Sequence, residues 1–181
     1  MSRRRFRPTD AFVDESIRGS RYLMACVLVE ANHLASIRRG TKDFVGNGKR
    51  LHFYQELDGR RREALQLFTM MPLRVSAVVC VRGIGISEFQ ARAACRTELV
   101  NQLQSRSVSR LTIESRQDDS DDRRTIFGAR QRHPPLVFDH RKGDSDPLLW
   151  IADAFAWSIG AGGGWLSRAD DVLDPLTELR P

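Results

Sequence analysis

The segment at residues 73–82, LRVSAVVCVR, constrains the fold more than any other part of the chain. It is rich in valine and continuously apolar through its middle. A strand wetted on one face alternates apolar and polar residues, whereas a strand covered on both faces reads as an unbroken apolar run. The segment therefore predicts a strand inside a sheet that carries helices on both sides.

Its neighbours fit that arrangement. AFVD at 11–14 and RYLMACVLVE at 21–30 flank a turn at Arg18, Gly19 and Ser20, which predicts an antiparallel hairpin. A helical insertion follows the second strand. It holds a short helix over 31–39, a loop through Gly46, Asn47 and Gly48, the ambiguous stretch LHFYQEL at 51–57, and a helix over 59–71. Asp58 is the expected N-cap of that last helix and Pro72 its stop.

Beyond the valine-rich strand, Ser87 caps a helix with apolar residues at Phe89, Ala93, Ala94, Leu99, Val100 and Leu103. RLTIES at 110–115 predicts a strand, 121–132 an amphipathic helix, and LVFD at 136–139 the last strand. Asp146 caps a closing helix, PLLWIADAFAWSIG, with Pro147 at its first position. The glycines at 160 and 162–164 end it. A group of strands followed by alternating helices and strands implies an α/β protein with a mixed β-sheet flanked by helices. With 181 residues, the chain suits a flexible basic N-terminus over 1–10 and a single domain over 11–181.

No apolar run approaches the ~20 residues that cross a bilayer. The opening MSRRRFRP is basic but has no apolar segment behind it, unlike a secretory signal. The expected location is the cytoplasm, away from membranes. Cys26, Cys80 and Cys95 form no CxxC pair and read as buried free thiols. A net charge of +6 permits attraction to nucleic-acid phosphates.

Three acids stand in unusual settings. Asp14 ends the apolar strand AFVD, Glu114 ends LTI, and Asp153 lies inside an apolar helix between Ala152 and Ala154. A buried charge is costly unless paired or bound to a cation. If the strands of Asp14 and Glu114 are neighbours, the closing helix can bring Asp153 to both. Crowded carboxylates raise one another's pKa, and a divalent cation relieves the repulsion. Their hard oxygen ligands suit Mg²⁺ or Mn²⁺, the ions of phosphodiester cleavage.

Glu15 follows Asp14 directly, and His52, between Leu51 and Phe53, is placed to shuttle a proton or meet a phosphate. Both join the candidate catalytic set. His33, His133 and His140 lack such a context. Arg116, Arg123, Arg124 and Lys142 are candidate phosphate contacts. There is no GxxxxGK[ST] loop and no GxSxG elbow.

The segments FVDES, KRLHF, IESR and PLLWIADAFAW, in that order, resemble a bacterial domain-of-unknown-function family of the ribonuclease H-like superfamily. The resemblance spans about 11–165. It implies a ribonuclease H-like fold with Asp14, Glu114 and Asp153 as the acidic core of a metal-dependent nuclease. Ribonuclease H enzymes also place a glutamate on the helix after the third strand. Glu98 lies on that helix here, but late along it; Glu15, Glu56, Asp118 and Asp121 are rivals for the fourth acid.

The leading expectation is a metal-dependent nuclease or phosphodiesterase acting on RNA or DNA. The alternative is a catalytically inactive module that binds nucleic acid or protein on the same fold. A third reading makes Trp150, Trp157 and Trp165 part of an interface, as in a homo-oligomer.

Overall fold

A computed structural model describes residues 6–46, 50–115 and 119–181. Strands β1 (Asp10–Arg18) and β2 (Arg21–Val29) form the expected hairpin, with Asp10 opposite Val29 and Arg18 opposite Arg21. The insertion contains α1 (Leu34–Val45), a 3-10 turn at Phe53–Gln55 and α2 (Asp58–Thr69). Then come β3 (Leu73–Val81), α3 (Glu88–Ser105), β4 (Arg110–Glu114), α4 (Ser120–Ala129), β5 (Val137–Arg141), α5 (Pro147–Ala161) and α6 (Gly163–Leu166). A short β6 (Thr177–Leu179) closes the sheet.

The six strands run in the order β5-β4-β1-β2-β3-β6. β1, β2 and β3 pair antiparallel, β4 and β5 continue parallel to β1, and β6 is parallel to β3. The two-residue period of a strand sorts its side chains between two cores. Phe12, Ala25 and Val27 face α1, α2 and α5, where Ile37, Leu65, Phe68, Ile151 and Phe155 pack on them. Val13, Met24 and Cys26 face α3 and α4, meeting Cys95, Leu99, Leu103 and Ile126. The valine-rich strand is thus covered on both sides, as its composition predicts.

The helix starts illustrate how local chemistry sets the boundaries. Ser87 and Gln90 form a reciprocal capping box at α3. The Asp146 side chain accepts from the Leu148 amide, with Pro147 at the first helical position of α5. Arg38 also reaches Asp146, at 2.7 Å, and ties α1 to this cap. Cys26, Cys80 and Cys95 are free and buried. Among the described residues, no helix is long and apolar enough to cross a membrane.

Several expectations need correction. Asp58 lies in the first turn of α2, and Leu57 takes the cap position without a side-chain bond. β1 runs four residues past Asp14, because pairing with β2 continues to the turn regardless of the polar side chains. Residues 6–10 belong to the folded body rather than to a flexible N-terminus: Thr9 N–H donates to Val29, Arg7 N–H to the Glu30 carboxylate, and Phe6 packs against the α3-side core. Trp150 is buried, its indole N–H donating to the Gly143 carbonyl at 2.7 Å.

One guanidinium is buried on the α3 face. Arg96 is 2% exposed and lies 2.6 Å from Glu15, with Asp122 as its second partner. Arg92 and the Tyr22 hydroxyl also reach Glu15. Removing one partner of a buried ion pair strands the other's charge. Arg96→Ala should therefore lower unfolding stability by about 3–5 kcal/mol, measured by chemical denaturation. A loss below about 1 kcal/mol, the scale of a surface pair, would show that this network does not hold the fold.

Candidate functional site

Strand alternation brings the site together. On β1, Phe12 and Asp14 share the face that carries α5, because Ala11 and Val13 point to the other core. On β4, Leu111 and Ile113 point to the α3 side, so Thr112 and Glu114 face α5. Val13 pairs with Ile113 in parallel register, which puts Asp14 and Glu114 at neighbouring places on adjacent strands. α5 lies over this face and adds Asp153 from between Ala152 and Ala154. Those small side chains let the helix approach the sheet closely.

Burial raises the Asp14 carboxyl to about 8, reinforced first by the charge of Asp153 and then by that of Glu114. The Glu15 amide, donating to Asp14 Oδ1 at 2.8 Å, opposes the shift. Asp153 is also pushed up by burial, and the Phe53 amide, which donates to its Oδ2 at 3.1 Å, acts against this. The charges of Arg50 and His52 favour its ionised form as well.

Residues 50–53 roof the site. Arg50 Nη2 donates to both oxygens of Glu114, at 2.7 and 2.9 Å. Leu51 and Phe53 are buried anchors, while His52 between them is exposed. Gly143 closes the other side. A side chain there would collide with the Arg50 guanidinium and the Glu114 carboxylate, so the close approach requires glycine. Lys142, next to it, is exposed.

Asp14, Glu114 and Asp153 are thus brought to one face, with His52 near Asp153. Glu15 is not brought to them, since its side chain points through the sheet to Arg92 and Arg96. Glu98 turns towards Gln102, which bridges to Thr177 at the start of β6. Asp121 pairs with the exposed Arg124 on α4 at 3.0 Å. Arg123 is exposed on the same helix, which packs on the α3 side. Arg116 and Asp118 lie outside the described residues.

Two features escaped the sequence. Arg50 was concealed in the KRLHF segment, where nothing marked it as the partner of an acid 64 residues away. His140, without context in the sequence, lies in a buried polar group with Asp119 and Asp122. Among the described residues, these are the potential ligands whose donor atoms all fall within 4.8 Å of one another. Asp14, Glu114 and Asp153 are spread more widely, with Arg50 held against Glu114.

No family model and no curated protein sequence matches the chain. Among solved structures, it is similar to Bst-RNase HIII in complex with Mn²⁺. The TM-score is 0.51 at 14% sequence identity, covering 86% of this chain and 52% of that one. The chain therefore spans about half the length of that structure. The likeness is one of fold: the mixed sheet with helices on both faces is ribonuclease H-like.

The raised Asp14 carboxyl has a consequence for stability. A group whose folded pKa exceeds its unfolded value stabilises the fold fully below the unfolded value. That contribution is lost as pH rises through the folded value, here from the ordinary 3.8 towards about 8. In chelator, the melting temperature should fall across this window, and Asp14→Asn should flatten the fall and melt higher at about pH 8. Parallel pH profiles for wild type and Asp14→Asn would contradict the carboxylate crowding.

Proposed function

We propose that the protein is a divalent-metal-dependent nuclease or phosphodiesterase acting on RNA or DNA, with Asp14, Glu114 and Asp153 as the ligands of Mg²⁺ or Mn²⁺. The observation that supports this reading is the shared face of the three carboxylates, where burial and mutual repulsion raise Asp14. A hard oxygen donor set with excess negative charge fits such a cation. When bound, the cation supplies Lewis-acid stabilisation of the phosphoryl oxygens.

The chain's own groups divide the remaining work. The Phe53 amide orients Asp153. Arg50 holds Glu114, and its planar guanidinium can exchange that carboxylate for a phosphate of the substrate. His52, exposed beside Asp153, can give or take a proton at the reacting oxygen. Glu15 is a positioning residue: its amide fixes Asp14, while its side chain is anchored on Arg96. Lys142, exposed next to Gly143, and Arg123 and Arg124, exposed on α4 on the other side of the sheet, would contact phosphates of a bound polyanion.

Two observations favour the inactive module instead. Arg50 already neutralises Glu114, and the α3 acid Glu98 turns away from the site. Cleavage assays separate the readings. Labelled RNA, DNA and hybrid duplexes should be cut by wild type in Mn²⁺ and left intact in chelator. Asp14→Asn and Asp153→Asn should each lose roughly a hundredfold or more in rate, the scale of removing one electrostatic stabiliser. Equal cleavage by wild type and both variants refutes the assignment. Binding without cleavage supports the module.

A further inference from the structure

A second polar group lies buried across the sheet from the acids beneath α5. His140 of β5 pairs with Ile113 in the sheet register, so its ring points into the α3 side. Its side chain is 2% exposed, and neither ring nitrogen has a hydrogen-bond partner among the described residues. Nε2 lies 3.6 Å from Asp122 Oδ2 and 4.0 Å from Asp119 Oδ1. Both separations are too long for hydrogen bonds. Asp122 is as buried as His140; Arg96 engages its Oδ1, and Oδ2 has no hydrogen-bond partner among the described residues. Asp119 is held by the Ser115 hydroxyl through Oδ2, which turns Oδ1 towards the ring.

Polar atoms this deep are normally satisfied, because leaving them unpaired costs desolvation without return. The spacing itself indicates what would satisfy them. Two ligands at about 2.1 Å from one ion lie at most about 4.2 Å apart. Nε2 and each carboxylate oxygen fall inside that bite, though outside hydrogen-bond reach. Arg96 engages the other carboxylate oxygen of Asp122, which leaves Oδ2 as the one that faces the imidazole at 3.6 Å.

We propose that Asp119, Asp122 and His140 form a second cation site, separate from the carboxylates of the α5 face. It would take a transition dication of the Zn²⁺ or Co²⁺ type through one imidazole nitrogen and two carboxylate oxygens. The imidazole sets this site apart from an all-oxygen site, which suits Mg²⁺. A bound ion would pin the edge strand β5 to the start of α4. Through Asp122 and Arg96 it would reach Glu15, the neighbour of Asp14.

Metal titration of the full chain tests this independently of nuclease activity. Chelator-treated protein is titrated with Zn²⁺ by calorimetry and with Co²⁺ by visible absorption. The Asp14→Asn, Asp153→Asn double variant should keep one saturable Zn²⁺ equivalent and the d–d bands of Co²⁺. His140→Phe, which fills the same buried space without a ligand, should lose both. Asp119→Asn, at the wetter end of the group, serves as a second variant if His140→Phe fails to fold, and should also lose the equivalent. The proposal is overturned if wild type takes up no Zn²⁺. It is equally overturned if the equivalent survives in folded Asp119→Asn, or disappears in the Asp14→Asn, Asp153→Asn protein.

Discussion

β1 carries two acids in succession, and strand geometry sends their side chains to opposite faces of the sheet. On the α3 face, Glu15 meets two guanidiniums and a hydroxyl, so its buried charge is compensated within the protein. On the α5 face, Asp14 meets further carboxylates, and its proton is held more tightly as a result. The same strand is therefore anchored electrostatically on one side and left with excess negative charge on the other. The α5 face can shed that excess only by protonation, by an arginine or by a cation.

Arg50 is the arginine the fold itself supplies; it hydrogen-bonds Glu114, and its charge also favours the ionised form of Asp153. It comes from the helical insertion after β2, a segment otherwise secured by the buried Leu51 and Phe53. The same turn donates the Phe53 amide to Asp153 and leaves His52 exposed. Four consecutive residues thus supply a charge, two anchors and a titratable group to the acids below them. Close packing across the site depends on Gly143, where even one methyl group would displace the Arg50–Glu114 pair.

Much of this was legible in the sequence, where side-chain period and capping chemistry act locally. The valine-rich β3, the Ser87 capping box and the Asp146-Pro147 helix start all follow from neighbouring residues. Asp14, Glu114 and Asp153 stood out because each interrupts or ends an apolar run. The sheet register then brings the first two side by side. The pairings of Arg50 with Glu114 and of Arg96 with Glu15 and Asp122 join residues far apart in the chain, and no local pattern encodes them. Glu15 departs from the acidic set because adjacency in sequence places two strand residues on opposite faces. β6 has only three residues and no apolar run, so it carried no signal.

The central claim is that the excess charge beneath α5 exists to hold a divalent cation. Anomalous diffraction from crystals soaked in Mn²⁺ tests it most directly. The predicted map has a peak bounded by the carboxylates of Asp14 and Asp153, with Arg50 drawn off Glu114 to free the third ligand. A map without a peak there, with Arg50 still paired to Glu114, would contradict it.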